Sequence, residues 1–274
     1  MSDRRLSALT VGVAVFLAGW ILKDSISAVA GHVVRHNTAA HPVSAATRAA
    51  SEVAAPTTAP LPTTPTATPQ TVLPAATELS YIDQLARSDI RRRLRASVGY
   101  TYLDEIVAES TDSALHRWDD RSTTPVRVYL GQDSVENFRP AFLGSVRTAF
   151  ERWQDAGVPV RFDLDADSDH AEVAVHWKER FNIERTGQTD LAWDNEGRIQ
   201  RALITIATFD PGGRPLSPDD VRVVALHEIG HLIGLDHSTD STDIMFAKTR
   251  ARDLSPRDIR TAMLLYQLAP GSVR

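Results

Sequence analysis

His227-Glu228-Ile229-Gly230-His231-Leu232-Ile233-Gly234-Leu235-Asp236-His237 is the stretch on which the reading of this chain turns. On a helix, positions i and i+4 lie on one face, so His227 and His231 can reach one metal ion. Glu228 sits one residue past the first imidazole. It can approach a water on that ion without displacing it, which suits a general base. Gly234 can take a positive φ and end the helix, turning the chain back so that His237 arrives as a third imidazole. Three protein ligands leave a fourth tetrahedral position open, as in a catalytic zinc site rather than a closed structural one.

Working outward, Ser217-Pro218-Asp219-Asp220 opens this helix and Ser255-Pro256-Arg257-Asp258 opens a final one. Each carries a cap residue, a proline at the first helical position and acid in the first turn. Upstream the pattern is mixed α and β. Val126–Leu130 alternates as a short strand, and Phe142, Val146, Phe150 and Trp153 recur at helical spacing until Gly157. Strands are expected at Val158–Leu164, Ala171–Trp177 and Ala202–Thr208. Gln188–Trp193 reads as a further extended piece, leading into a turn at Asp194–Gly197.

The His-Glu-x-x-His-x-x-Gly-x-x-His pattern over 227–237 resembles the metzincin zinc signature at every fixed position. Ser238 directly after the third histidine, and Met245 eight residues after it, are similar to the matrixin branch. That likeness extends by order and length over about residues 125–268. It implies an α+β catalytic domain: a small, mixed, twisted sheet, a zinc-binding helix, a Met-turn and a C-terminal helix. Carried over residue by residue, His227, His231 and His237 would bind one Zn2+, and Glu228 would be the base. Met245 would form an apolar floor rather than a ligand. Extended substrate would pair with an edge strand, for which Gln188–Trp193 is the candidate. Met263, on the last helix, is expected in the core.

The implied reaction is hydrolysis of a peptide bond in a peptide or protein substrate. Zinc polarises the carbonyl, and Glu228 takes a proton from water and delivers it to the leaving amine. A catalytically silent zinc-binding module, or a surface module that is not a peptidase, is the alternative. Some family features are missing. Cysteine is absent, so latency through a thiolate on the zinc is impossible. The family's second, structural zinc site is not recognisable. His170 and His176 are expected at the surface or in packing. Asp163, Asp165, Asp167 and Asp169 invite a Ca2+ reading. The glycine and glutamate of an EF-hand loop are missing, however, and a solvated acidic loop is the expectation.

Composition bounds the rest. The chain has 274 residues, 42% of them hydrophobic, which suffices for one sizeable domain with material left over. Its 30 Lys and Arg against 35 Asp and Glu leave a net charge of −5, the wrong sign for a nucleic-acid partner. Arg4 and Arg5 precede an apolar run from Leu6 to Leu22. Its 17 residues span roughly 25 Å, close to the thickness of a hydrocarbon core. Residues 1–30 therefore read as a signal anchor, with Ala28-Val29-Ala30 leaving cleavage and secretion as the other course. The basic residues favour export of everything downstream, so the domain is expected outside the cytoplasm on a membrane tether.

From 31 to 77 the chain reads as a disordered linker. Asn37–Thr77 holds 12 Ala, 10 Thr and 7 Pro in 41 residues, with no aromatic. Residues 78–122 are a helical segment in which Ile82, Leu85, Ile90 and Leu94 form an apolar stripe. That segment would either pack on the catalytic domain (123–270) or act as a removable prosegment. No feature of the sequence speaks to oligomeric state.

Overall fold

The computed structural model describes residues 32–35, 80–110 and 112–273. The apolar run Leu6–Leu22 and most of the 31–77 linker lie outside the described residues. Among the described residues no helix is long and apolar enough to cross a membrane.

The elements in chain order are β1 (His32–Arg35), α1 (Tyr81–Ala96), α2 (Leu103–Glu109), β2 (Ala114–Leu115), β3 (Arg121–Leu130), α3 (Pro140–Asp155), β4 (Val160–Asp163), β5 (Val173–Lys178), β6 (Gly187–Trp193), β7 (Ile199–Ala207), α4 (Pro218–Leu232), α5 (Pro256–Gln267) and β8 (Gly271–Ser272). Six strands form a mixed sheet in the order β1-β6-β7-β5-β3-β4. The β4-β3, β3-β5 and β5-β7 pairs are parallel, whereas β6 and β1 are added antiparallel at one side. The α+β class, the zinc-motif helix and the closing helix follow the sequence expectation. Part of the expected linker, His32–Arg35, is a strand.

Sequence chemistry explains the local details. Pro125 has no N–H to give a ladder, and the β3–β4 register shifts between Arg121 and Val126 around it. The β6–β7 hairpin turns at Gly197, φ +79°, where the Asp194 carboxylate accepts from the Glu196 and Arg198 N–H groups. Helices α4 and α5 both start in full capping boxes, Ser217 with Asp220 and Ser255 with Asp258. Helix α3 packs against α4, and the Trp153 indole N–H donates to the Leu226 carbonyl at 2.9 Å. Phe142 stacks on Trp177 with 5.6 Å between ring centroids, joining helix to sheet.

The segment before residue 123 is continuous with this core. Tyr102, Leu103, Leu115 and Trp118 are fully buried in the same apolar cluster as Ile204, Leu226 and Leu265. The Trp118 indole N–H donates to the Leu232 carbonyl at the end of α4, 2.9 Å away. Two expectations are corrected here. Ile82 and Leu85 are exposed, because among the described residues α1 buries Ile90 and Leu94, in its second half. Met263 is 40% exposed, because α5 buries Asp258, Thr261, Ala262 and Leu265, a face that position 263 falls outside.

Candidate active site

Helix α4 lies against β6 and β7, and its C-terminal half carries the site. His227 and His231 face the same side one turn apart, and His237 meets them after the chain reverses. Ring centroids are 4.9 Å (227–231), 5.3 Å (227–237) and 4.8 Å (231–237) apart. The three ligand atoms all lie within 4.8 Å of one another, and this is the one such cluster among the described residues.

The reversal has two physical requirements, and both select glycine. Gly234 has φ +100°, and the Leu235 N–H closes back on the Gly230 carbonyl at 3.0 Å. A Cβ at 234 would also collide with the carbonyl oxygen of His116, whose carbonyl carbon would be 3.0 Å away. The segment from β2 therefore presses on the turn that delivers His237.

The imidazoles are oriented for a metal. His227 Nδ1 lies 2.7 Å from the Ile244 carbonyl, and His231 Nδ1 lies 2.9 Å from the Leu235 carbonyl. Carbonyls only accept, so both Nδ1 atoms carry the proton and both Nε2 atoms offer lone pairs to the common centre. Burial, with the neighbouring His237, holds His227 down to a pKa of about 4. A neutral imidazole is the form that ligates. Three imidazole nitrogen donors with a carboxylate alongside fit a zinc ion.

Glu228 is 5% exposed, and burial raises its carboxyl to about 7 against the opposing Thr189 hydrogen bond and Arg185 charge. The Thr189 hydroxyl, on β6, donates to Glu228 Oε2 at 2.7 Å. Gly187, at the start of β6, lies against the same side chain: a Cβ there would meet Glu228 Cγ and Cδ at 2.7 Å each. Gly187 and Thr189 were not singled out by sequence reasoning, which placed the edge strand at 188–193. A glycine at the head of an alternating strand was the available signal.

The floor is set from the loop 238–246. Ser238 N–H donates to the Met245 carbonyl at 3.0 Å, closing the turn, and Met245 is fully buried. Its sulfur lies against Gly230, so close that a Cβ there could not coexist with it. Met245 is thus placed beneath α4. The turn is pinned by Asp258, whose carboxylate accepts from Ile244 N–H at 2.8 Å, Ser255 N–H at 2.8 Å and the Tyr102 hydroxyl at 3.0 Å. Asp243, also buried, accepts from Ser255 Oγ at 2.6 Å and Arg257 Nη1 at 3.0 Å. Arg257 continues to Glu105 in α2. This buried polar network ties the 80–118 segment to the turn, and sequence reasoning did not find it.

Two cavities flank the centre. One, of about 260 Å³, opens beside Glu228 and is lined by Gly187, Val223, Val224, His227, Ala247 and Lys248. The Lys248 ammonium pairs with Glu184 at 2.8 Å across its rim. The other, of about 160 Å³, lies at the far end of β6 between Leu191, Trp193, Ile106, Glu109, His116 and Asp236. His176 bonds Asp133 through Nδ1 at 3.1 Å, and His170 is exposed. Asp163, Asp165, Asp167 and Asp169 are exposed, and Asp165 pairs with Arg147 at 2.6 Å.

Comparison with known proteins concurs with this geometry. The matrixin (peptidase M10) family model matches residues 117–267. A probable matrix metalloproteinase 095L of Invertebrate iridescent virus 3 is 47% identical over 51 residues, 18% of this chain and 14% of that protein. Metalloendoproteinase 1 of Glycine max is 34% identical over 85 residues, 30% of this chain and 24% of that protein. The matched stretches therefore span less than a quarter of either relative.

Proposed function

The chain belongs to the matrixin family, and on that premise we propose that it is a zinc-dependent endopeptidase with Glu228 as its general base. The observation that carries the reading is the convergence of three imidazoles beside a buried carboxylate, next to strand β6. His227, His231 and His237 would hold the ion. Zinc, when bound there, supplies the Lewis acidity that polarises a scissile carbonyl and acidifies water.

The chain's own residues do the rest. Glu228, kept from bulk water, takes a proton from the attacking water and passes it to the departing amine. Thr189 fixes which carboxylate oxygen is free to act, because its hydroxyl engages Oε2. The edge of β6 aligns substrate backbone, and the cavity lined by Val223, Val224 and Ala247 receives the side chain after the scissile bond. The 80–118 segment works as part of the catalytic domain, through Trp118 and the Tyr102–Asp258 bond. The basic and apolar N-terminus supports export and tethering of this domain outside the cytoplasm.

The test is hydrolysis of a broad quenched-fluorescent peptide mixture by the full chain, beside Glu228→Ala and a chelated sample. Turnover should fall by at least 10²-fold in Glu228→Ala while one zinc per chain remains bound. Unchanged turnover in that variant refutes the assignment of the base. Zinc bound with no hydrolysis by the wild type refutes the peptidase in favour of a silent metal-binding module.

A further inference from the structure

The outer edge of β6, which the proposed function reserves for substrate, is covered by the chain itself. β1 runs antiparallel along it, with His32 opposite Trp193, Val33 opposite Ala192, Val34 opposite Leu191 and Arg35 opposite Asp190. The inner edge of β6 is used by β7, so only one edge can accept an extended peptide. A third strand cannot share an edge whose N–H and C=O groups are already paired. The direction of β1 is also informative. It begins at the Trp193 end and advances toward Thr189, the residue whose hydroxyl contacts Glu228. The paired stretch ends at Asp190, one position before Thr189. It therefore covers the approach to the site without crossing the catalytic carboxylate, as a bound cleavage product would.

We propose that His32–Arg35 is a built-in competitor that holds the substrate-binding edge of β6 and must leave before an extended substrate can pair there. The proposal rests on the peptidase reading of the site for its consequence, and on the strand pairing alone for the docking. Four paired residues make a weak contact by themselves. Tethering in the same chain, with 44 residues between Arg35 and Ser80, supplies an effective concentration of about 1 mM. An internal competitor whose dissociation constant is about a tenth of that concentration raises the apparent KM of an edge-pairing substrate by about tenfold. The kcat is expected to be unchanged, because the backbone pairing of β1 ends at Asp190 and occupies the binding edge alone.

The test uses the full chain in mild detergent, as wild type and as the double substitution Val33→Pro with Val34→Pro. Proline removes both backbone donors from the centre of β1 without altering the domain. The expected result is a KM about tenfold lower for peptides extending at least four residues before the scissile bond, with kcat unchanged. A synthetic peptide containing His32-Val33-Val34-Arg35, added at millimolar concentration to the double variant, should restore the higher KM. Amide hydrogen exchange gives a readout independent of activity: the outward N–H groups of residues 188–193 should exchange at least tenfold faster in the double variant.

Equal KM and equal exchange in the two proteins overturn the proposal. Faster exchange with no peptide hydrolysis by either protein keeps the docking of β1 and overturns the peptidase reading instead.

Discussion

Gly187→Ala probes whether Glu228 acts from the position this fold assigns it. A methyl group at 187 would stand 2.7 Å from both Glu228 Cγ and Cδ, with Oε1 closer still. Carbon atoms rest about 3.5 Å apart, so the side chain has to shift by about 0.8 Å. Neither partner can yield freely. Gly187 is held in the ladder opposite Ile206 of β7, and Glu228 is bonded to Thr189 within a buried site. A general base misplaced by about 1 Å loses about 10²-fold in rate, which is about 2.7 kcal/mol of transition-state stabilisation. The atoms nearest the added methyl all belong to Glu228 rather than to an imidazole, so zinc stoichiometry should stay at one per chain. Steady-state kinetics on a cleaved peptide, with metal analysis of the same sample, reads the effect. The kcat should fall about 100-fold with KM little changed. Wild-type kcat with a full complement of zinc would refute the reasoning, because the base would then not need this placement.

Three further outcomes follow from the packing of the same domain. Gly230→Ala drives a Cβ onto the Met245 sulfur, and such overpacking costs about 1–3 kcal/mol. Thermal unfolding should shift down by several degrees, and adding Met245→Ala should recover part of the loss. Trp118→Ala empties a fully buried site and strands the Leu232 carbonyl at the end of α4, for about 3–5 kcal/mol by denaturant titration. A loss under 1 kcal/mol would mean that 80–118 is not part of the domain core. In the metal-free chain, His227 titrates near 4 when folded and near 6.5 when unfolded. The unfolded chain therefore takes up a proton that the folded chain refuses. Stability is full above pH 6.5 and declines as pH falls toward 4, and His227→Gln should flatten that slope of Tm against pH.

Much of the site is legible in the sequence because its information is local. The spacing of His227, Glu228 and His231 is a property of one helical turn, and Ser217 and Ser255 set helix starts through bonds reaching only three residues ahead. Gly234 announced the chain reversal for a reason also contained in its own backbone. The strand, helix and hairpin order from Val126 to Thr208 was readable for the same reason, since alternation and helical period are short-range patterns. Misreadings arose where a pattern said which face was apolar but not what stood opposite. Ile82 and Leu85 are exposed on a helix that buries Ile90 and Leu94, and Met263 lies off the packed face of α5.

By itself, then, the sequence determined the metal-binding motif, the likeness to matrixins and the α+β class, all consequences of contacts within about eleven residues. Only the tertiary structure decided what surrounds that motif. Thr189 and Gly187 reach Glu228 from about 40 residues upstream, Tyr102 bonds Asp258 across 156 residues, and β1 lies along β6 from the far end of the chain. Contacts of that separation leave no periodicity to read. They exist because burial brings distant polar groups into water-poor space, where each must find a partner or pay its full desolvation cost.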